Sequence, residues 1–167
     1  MAITLISTQT LVSTAATVVF SSLSSSYTDL MLVCSHRDTN TTNYRAMSLT
    51  LNSTSATGRR LGAEAGAAYS DTNTSMYSTG SGATASTFAN TVIYIPNYAG
   101  STNKSASADS VSETNASSNG MDIVAFSFAT SAAITSVTLG ASSNFDVGSS
   151  FSIYGITKGS SGGVTVS

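Results

Sequence analysis

The chain is poor in the residues that most often carry chemistry or cross-links. It has one cysteine, one histidine, one proline and no tryptophan among 167 residues. Cys34, standing alone, excludes an intrachain disulfide and a thiolate metal cage, because each needs a second thiol. With His36 as the sole imidazole, a zinc site has to draw its other ligands from carboxylates, and a Ser/His/Asp triad has only this base. His36 ends an apolar strand pattern just before Arg37-Asp38, so it reads as a strand-end residue bonded to backbone or facing solvent. Charge is scarce as well: Asp, Glu, Lys and Arg make up 8% of the chain, against about 25% in an ordinary soluble domain. The net charge of −2 and pI near 5.0 offer no basic field to a phosphate backbone, so nucleic acid is not an expected partner.

The first twenty residues, MAITLISTQTLVSTAATVVF, lack Lys and Arg, and polar residues interrupt their apolar stretch. They fit neither a signal peptide nor a membrane span, so synthesis in a cytoplasm and no membrane partner are expected. The sequons at Asn40, Asn52, Asn73, Asn103 and Asn115 then reflect only abundant Asn, Ser and Thr.

What is abundant is hydroxyl. Ser and Thr together form roughly a third of the chain, so hydroxyls replace charges on the surface. Thr and Val suit a pleated sheet while Ser disfavours helix interiors, and the 41% hydrophobic content is enough for one domain's core. Short alternating apolar runs separated by Ser, Thr, Asn and Gly predict an all-β fold, a sandwich or barrel of about eight to ten antiparallel strands. One domain is expected over residues 1–158, with a flexible Gly/Ser-rich tail at 159–167.

The strand pattern is uneven along the chain. Ile3 to Ser7 and Ala15 to Phe20 read as strands. Thr28 to His36 puts Leu30, Leu32 and Cys34 on one face and Met31 and Val33 on the other, which predicts a central strand covered on both sides. Tyr44 to Leu51 is one-sided, with Met47, Leu49 and Leu51 inward. Asn52 to Ala85, rich in small residues, reads as long loops around one or two short strands. Phe88 to Pro96 is a strong strand, and Lys104 to Glu113, of low hydrophobicity, reads as an edge strand. Met121 to Thr130 places Val124, Phe126 and Phe128 on one face and Ile123 and Ala125 on the other. Ile134 to Leu139 and Phe151 to Lys158 complete the set.

Local motifs with chemical meaning do not find their structural context. Gly159-Ser160-Ser161-Gly162-Gly163 matches a nucleophile elbow, but only a short tail follows where a helix is required. Gly80 to Ala85 matches a loose dinucleotide fingerprint without the preceding parallel strand. Asp71-Thr72-Asn73-Thr74-Ser75 starts like a calcium loop, yet Met76 stands at the sixth place and Gly82 at the twelfth, which excludes an EF-hand. The carboxylates are scattered, and Arg59-Arg60 reads as a solvated loop. No catalytic residue, cofactor or metal ligand is expected. The candidate binding residues are Tyr94, Asn97, Tyr98 and Asn103, where tyrosine rings with polar tips beside asparagines suit a sugar-binding face, with core packing the alternative for Tyr94.

Three segments carry a resemblance: Tyr27-Thr28-Asp29-Leu30-Met31-Leu32-Val33, Ile93-Tyr94-Ile95-Pro96-Asn97-Tyr98-Ala99-Gly100-Ser101-Thr102-Asn103-Lys104, and Phe151-Ser152-Ile153-Tyr154-Gly155-Ile156. Together they resemble a family of small virion structural proteins from tailed phages, of the marine and cyanobacterial phage type. The resemblance implies a jelly-roll-like sandwich on the virion surface and brings no catalytic residues. It implies the major capsid protein or other virion proteins as partners, and a homotrimer. Two roles are open on this reading: a head decoration or cement protein, or a tail fibre or tail-tip adhesin that binds host glycan. Strand-like sequence that starts within a few residues of Met1, without a fibrous shaft, favours decoration.

Overall fold

Strand after strand follows the alternating pattern of the sequence, and no helix occurs among the described residues. The computed structural model describes residues 1–64, 67–115 and 120–158. The strands in chain order are β1 (Ala2–Thr10), β2 (Ala15–Phe20), β3 (Asp29–Asp38), β4 (Tyr44–Leu51), β5 (Thr54–Ser55), β6 (Thr57–Glu64), β7 (Ala67–Asp71), β8 (Ser75–Gly80), β9 (Ala89–Ile95), β10 (Lys104–Ser112), β11 (Gly120–Phe128), β12 (Val137–Phe145) and β13 (Ser150–Thr157). The expected all-β fold is present. The tail and its Gly159 to Gly163 motif lie outside the described residues.

Two sheets share β3. The larger runs β1-β13-β3-β9-β10-β11-β6-β7, and every neighbouring pair is antiparallel. The smaller runs β2-β12-β4-β8, with β5 folded back on β4. At its C-terminal end β3 leaves the first sheet for the second, where Arg37 and Asp38 pair in parallel with Thr79 and Gly80 of β8. Between the sheets lies one core, with Leu30 and Leu32 of β3, Met47 and Leu49 of β4, Ile93 of β9, Phe126 and Phe128 of β11, Leu139 of β12 and Phe151 of β13 all buried. The β4–β5 hairpin turns on Asn52 and Ser53, both at positive φ (47° and 64°), as a two-residue turn between right-twisted strands requires.

Several strands differ from the sequence expectation for steric reasons. The stretch from Asn52 to Ala85 holds four strands rather than long loops. Its small residues serve close approach: a Cβ at Gly58 would meet the Ala125 carbonyl oxygen at 2.0 Å. Strand β10 is central, between β9 and β11, and not an edge. It lacks large apolar residues because its inward side chains Ala106, Ala108, Ser110 and Ser112 lie under β8, whose Tyr77 carbonyl accepts a 2.8 Å hydrogen bond from the Ser110 hydroxyl. Strand β3 is central, but Met31 is only half-buried and Val33 is exposed, so its second face is not covered.

Candidate binding face

The outward face of the larger sheet keeps apolar side chains in water. Cross-strand register places Leu61, Ile123, Asp109, Val92 and Val33 in one line across β6, β11, β10, β9 and β3. On one flank lie Ala63, Met121 and Val111; on the other lie Arg59, Ala125, Ser107, Tyr94 and Met31. Residues so aligned stand about 5 Å apart, close enough to form a continuous surface. Ile123 is 62% exposed and Leu61 60%, and Met121, Val111, Val92, Val33 and Tyr94 are exposed with them. Two shallow hollows of about 490 and 460 Å³ cross the face, and Asp109 and Ile123 line both.

The four residues expected to bind do not form one surface. Tyr98 is fully buried in the core and its hydroxyl donates to the Ser24 carbonyl, so its ring is closed to a ligand. Tyr94 stands on the outward face with its hydroxyl donating to Asp29 Oδ2 at 2.7 Å, while the Asn97 amide donates to the other oxygen at 2.9 Å. Asn97 and Asn103 are exposed on the following loop. That loop is pinned by Lys104, whose buried ammonium donates to the Gly100 carbonyl at 2.8 Å and to that of Thr102.

A polar cluster lies behind the apolar face, between β6, β7, β8 and β11. Arg60 is buried, not part of a solvated loop, and its guanidinium lies over the rings of Tyr69 (4.8 Å) and Tyr77 (5.3 Å). It donates to Asp71 Oδ2 at 2.8 Å. Asp71 thereby belongs to an ion pair and a tight turn, with the Asn73 amide on Oδ1 at 2.9 Å. Asp122 is shielded from solvent, neither of its oxygens accepts a hydrogen bond, and burial pushes its carboxyl up to about 7. The Tyr77 hydroxyl donates to Glu64, whose carboxyl hydrogen bonds from Tyr44 and Tyr77 hold below its ordinary value.

His36 sits in the core rather than at a solvated strand end. Its ring nitrogens bond the Ser78 and Thr91 hydroxyls, each at 2.9 Å, and the ring packs against Phe145 and Phe151. Burial holds the imidazole down to about 3. Its neighbour Arg37 spends its guanidinium on the carbonyls of Ala83, Thr84 and Thr87. Among the described residues, no group of three or more His, Cys, Asp or Glu is placed to hold a metal ion.

Compared with protein-family models, curated proteins and solved structures, the chain matches none. In the sequence β11, with apolar residues on both faces, reads only as a core strand. The signal that distinguishes the two faces is Asp109: a lone carboxylate directly across from Ile123 marks that side as outward.

Proposed function

We propose that the protein is a structural module of a tailed-phage virion, a decoration or cement protein that adds to the assembled head. The observation that carries this reading is the outward face of the larger sheet, a contiguous apolar band spanning five strands. Contiguous exposed apolar surface of this kind marks a contact site, since scattered single residues are the norm elsewhere. The virion assignment itself comes from the resemblance of the segments around Leu30, Tyr94 and Tyr154. The homotrimer implied by that resemblance belongs to the same proposal.

A decoration protein stabilises only the assembled shell, because it binds that state and not its unassembled parts. Particles made without it are expected to assemble and to adsorb to host cells, but to rupture at lower temperature and under milder osmotic shock. Restoring the protein to such heads restores their resistance. Normal head stability with lost adsorption would sink the decoration role and promote a tail adhesin, with the segment from Tyr94 to Lys104 as the first place to seek a glycan contact.

A further inference from the structure

The apolar face has a carboxylate at its centre. Asp109 stands in the middle of the five-residue line, with Ile123 and Leu61 to one side and Val92 and Val33 to the other. It also borders both hollows. Among the described residues it forms no salt bridge. The other exposed charge within these strands, Arg59, lies two strands away and two residues further along, about 12 Å off by sheet spacings, too far to neutralise it.

This placement decides between occupants. At about 4.8 Å between strands and about 6.6 Å between same-face residues, the band covers roughly 500 Å², so a partner that covered it would bury about 1,000 Å² in all, the lower bound of a specific interface. A second copy centred on the band brings Asp109 against its own image, and two like charges desolvated together repel. A sugar is poorly served, because the band's one aromatic ring, Tyr94, already has its hydroxyl engaged by Asp29. A protein surface that is apolar around one basic side chain satisfies both the band and the carboxylate.

We propose that this face docks a protein partner whose apolar surface presents a single Lys or Arg to Asp109, and that Asp109 keeps the face from closing on a second copy. The inference rests on the contact-surface reading above and names the chemistry of its partner. In the virion setting that partner is the shell.

The test uses heads purified from a phage lacking the gene, to which the purified full-length protein is added back. Wild-type protein is expected to bind saturably. D109N is expected to bind at least tenfold more weakly, since the partner's cation is left buried and unpaired, and D109K is expected not to bind. Thr17→Lys, which places a lysine at an exposed position of β2 on the smaller sheet, is expected to bind like wild type. Thermal midpoints close to that of wild type show that the variants are folded. In sedimentation without heads, D109N is expected to associate beyond the wild-type oligomer at concentrations where wild type does not. If D109K binds heads as tightly as wild type, the inference falls while the decoration role stands. Failure of wild-type protein to bind heads at all overturns the decoration role instead. A wild-type self-association that D109K abolishes assigns the face to a second copy, and binding to host polysaccharide lost in D109K assigns it to glycan. Either of these also overturns the inference.

Discussion

Arg60 and Asp122 stand 3.7 Å apart, Nη1 to Oδ2, at a point where the Asp122 side chain has no solvent exposure. The guanidinium does not offset the loss of water, because its closer bond goes to Asp71 at 2.8 Å. The folded-state carboxyl of Asp122 is therefore raised to about 7 from 3.8.

The sign of the consequence is fixed by which state holds the proton. Between about pH 4 and 7 the folded chain keeps a proton on Asp122 that the unfolded chain has released, so this group's contribution is full below about pH 4 and is lost as pH rises through 7. Asp122→Asn is expected to remove that loss and to make the protein more stable than wild type at pH 8, by up to a few kcal/mol. Urea midpoints at pH 4.5, 6 and 8 measure it. Identical pH profiles for the two proteins would show an unperturbed carboxyl.

His36 acts in the opposite sense. Burial lowers its folded-state pKa to about 3 from 6.5, so its contribution is present above pH 6.5 and is lost as pH falls, by about 1.4 kcal/mol per unit. Between pH 4 and 6.5 the slopes of His36 and Asp122 oppose each other. In Asp122→Asn the histidine slope stands uncovered, and acid destabilisation below pH 6.5 is expected to be steeper than in wild type. At neutral pH, Ser78→Ala or Thr91→Val leaves one buried ring nitrogen without its 2.9 Å partner and is expected to cost about 1–3 kcal/mol. Full stability in both variants would mean that water replaces the hydroxyls.

Core positions read from strand alternation give large losses. Leu32 is fully buried and Phe126 is 3% exposed. Their replacement by Ala is expected to cost about 2–5 kcal/mol each, from lost burial and the cavity left behind. Unchanged thermal midpoints for both would contradict the strand placement.

Gly155 tests a tighter fit. A Cβ there would lie 2.3 Å from Tyr27 Cγ, so the ring of Tyr27 covers the glycine with no room for a methyl group. Gly155→Ala is expected to displace the ring and to cost about 1–3 kcal/mol. In a Tyr27→Ala background the space is open and the same substitution is expected to be nearly neutral, which separates ring displacement from backbone strain.

Alternation made β3, β4, β9 and β11 legible in the sequence, because each places large apolar residues on one face at every second position. The four strands between Asn52 and Ala85 were not, since β6 turns Gly58, Arg60, Gly62 and Glu64 inward and β7 is mostly small or polar, and inward residues of these kinds leave no hydrophobic signal. Strand β10 failed for a related reason: a central strand lying under β8 needs small inward residues. Of the candidate residues, Tyr94 stands on the outward face, where its sequence context left both a binding face and core packing open. Tyr98 resembles it in sequence context but turns inward after Pro96, with Asn97 at φ 47°, and a period-2 pattern does not carry across such a turn. The binding band was hidden for another reason. Alternation assigns Ile123 to a face, but only the full strand order shows that no strand among the described residues packs on that face.

That distinction can be measured within one strand. Ile123 and Phe126 both lie on β11 and point to opposite sides of the sheet. Ile123 is already 62% exposed in the folded chain and Leu61 beside it 60%, so folding buries little of either. Ile123→Thr keeps the β-branched shape that suits a strand, and Leu61→Thr introduces one. Each is expected to change stability by no more than about 0.5 kcal/mol, against several for Phe126→Ala. Both are expected to lower affinity for heads, since the apolar area they remove is the area a partner would cover. Moderate salt is not expected to strip the wild-type protein, because the contact is mostly uncharged and its one ion pair is enclosed. A loss above about 2 kcal/mol for Ile123→Thr would place that side chain in the fold's own core and remove it from any docking surface.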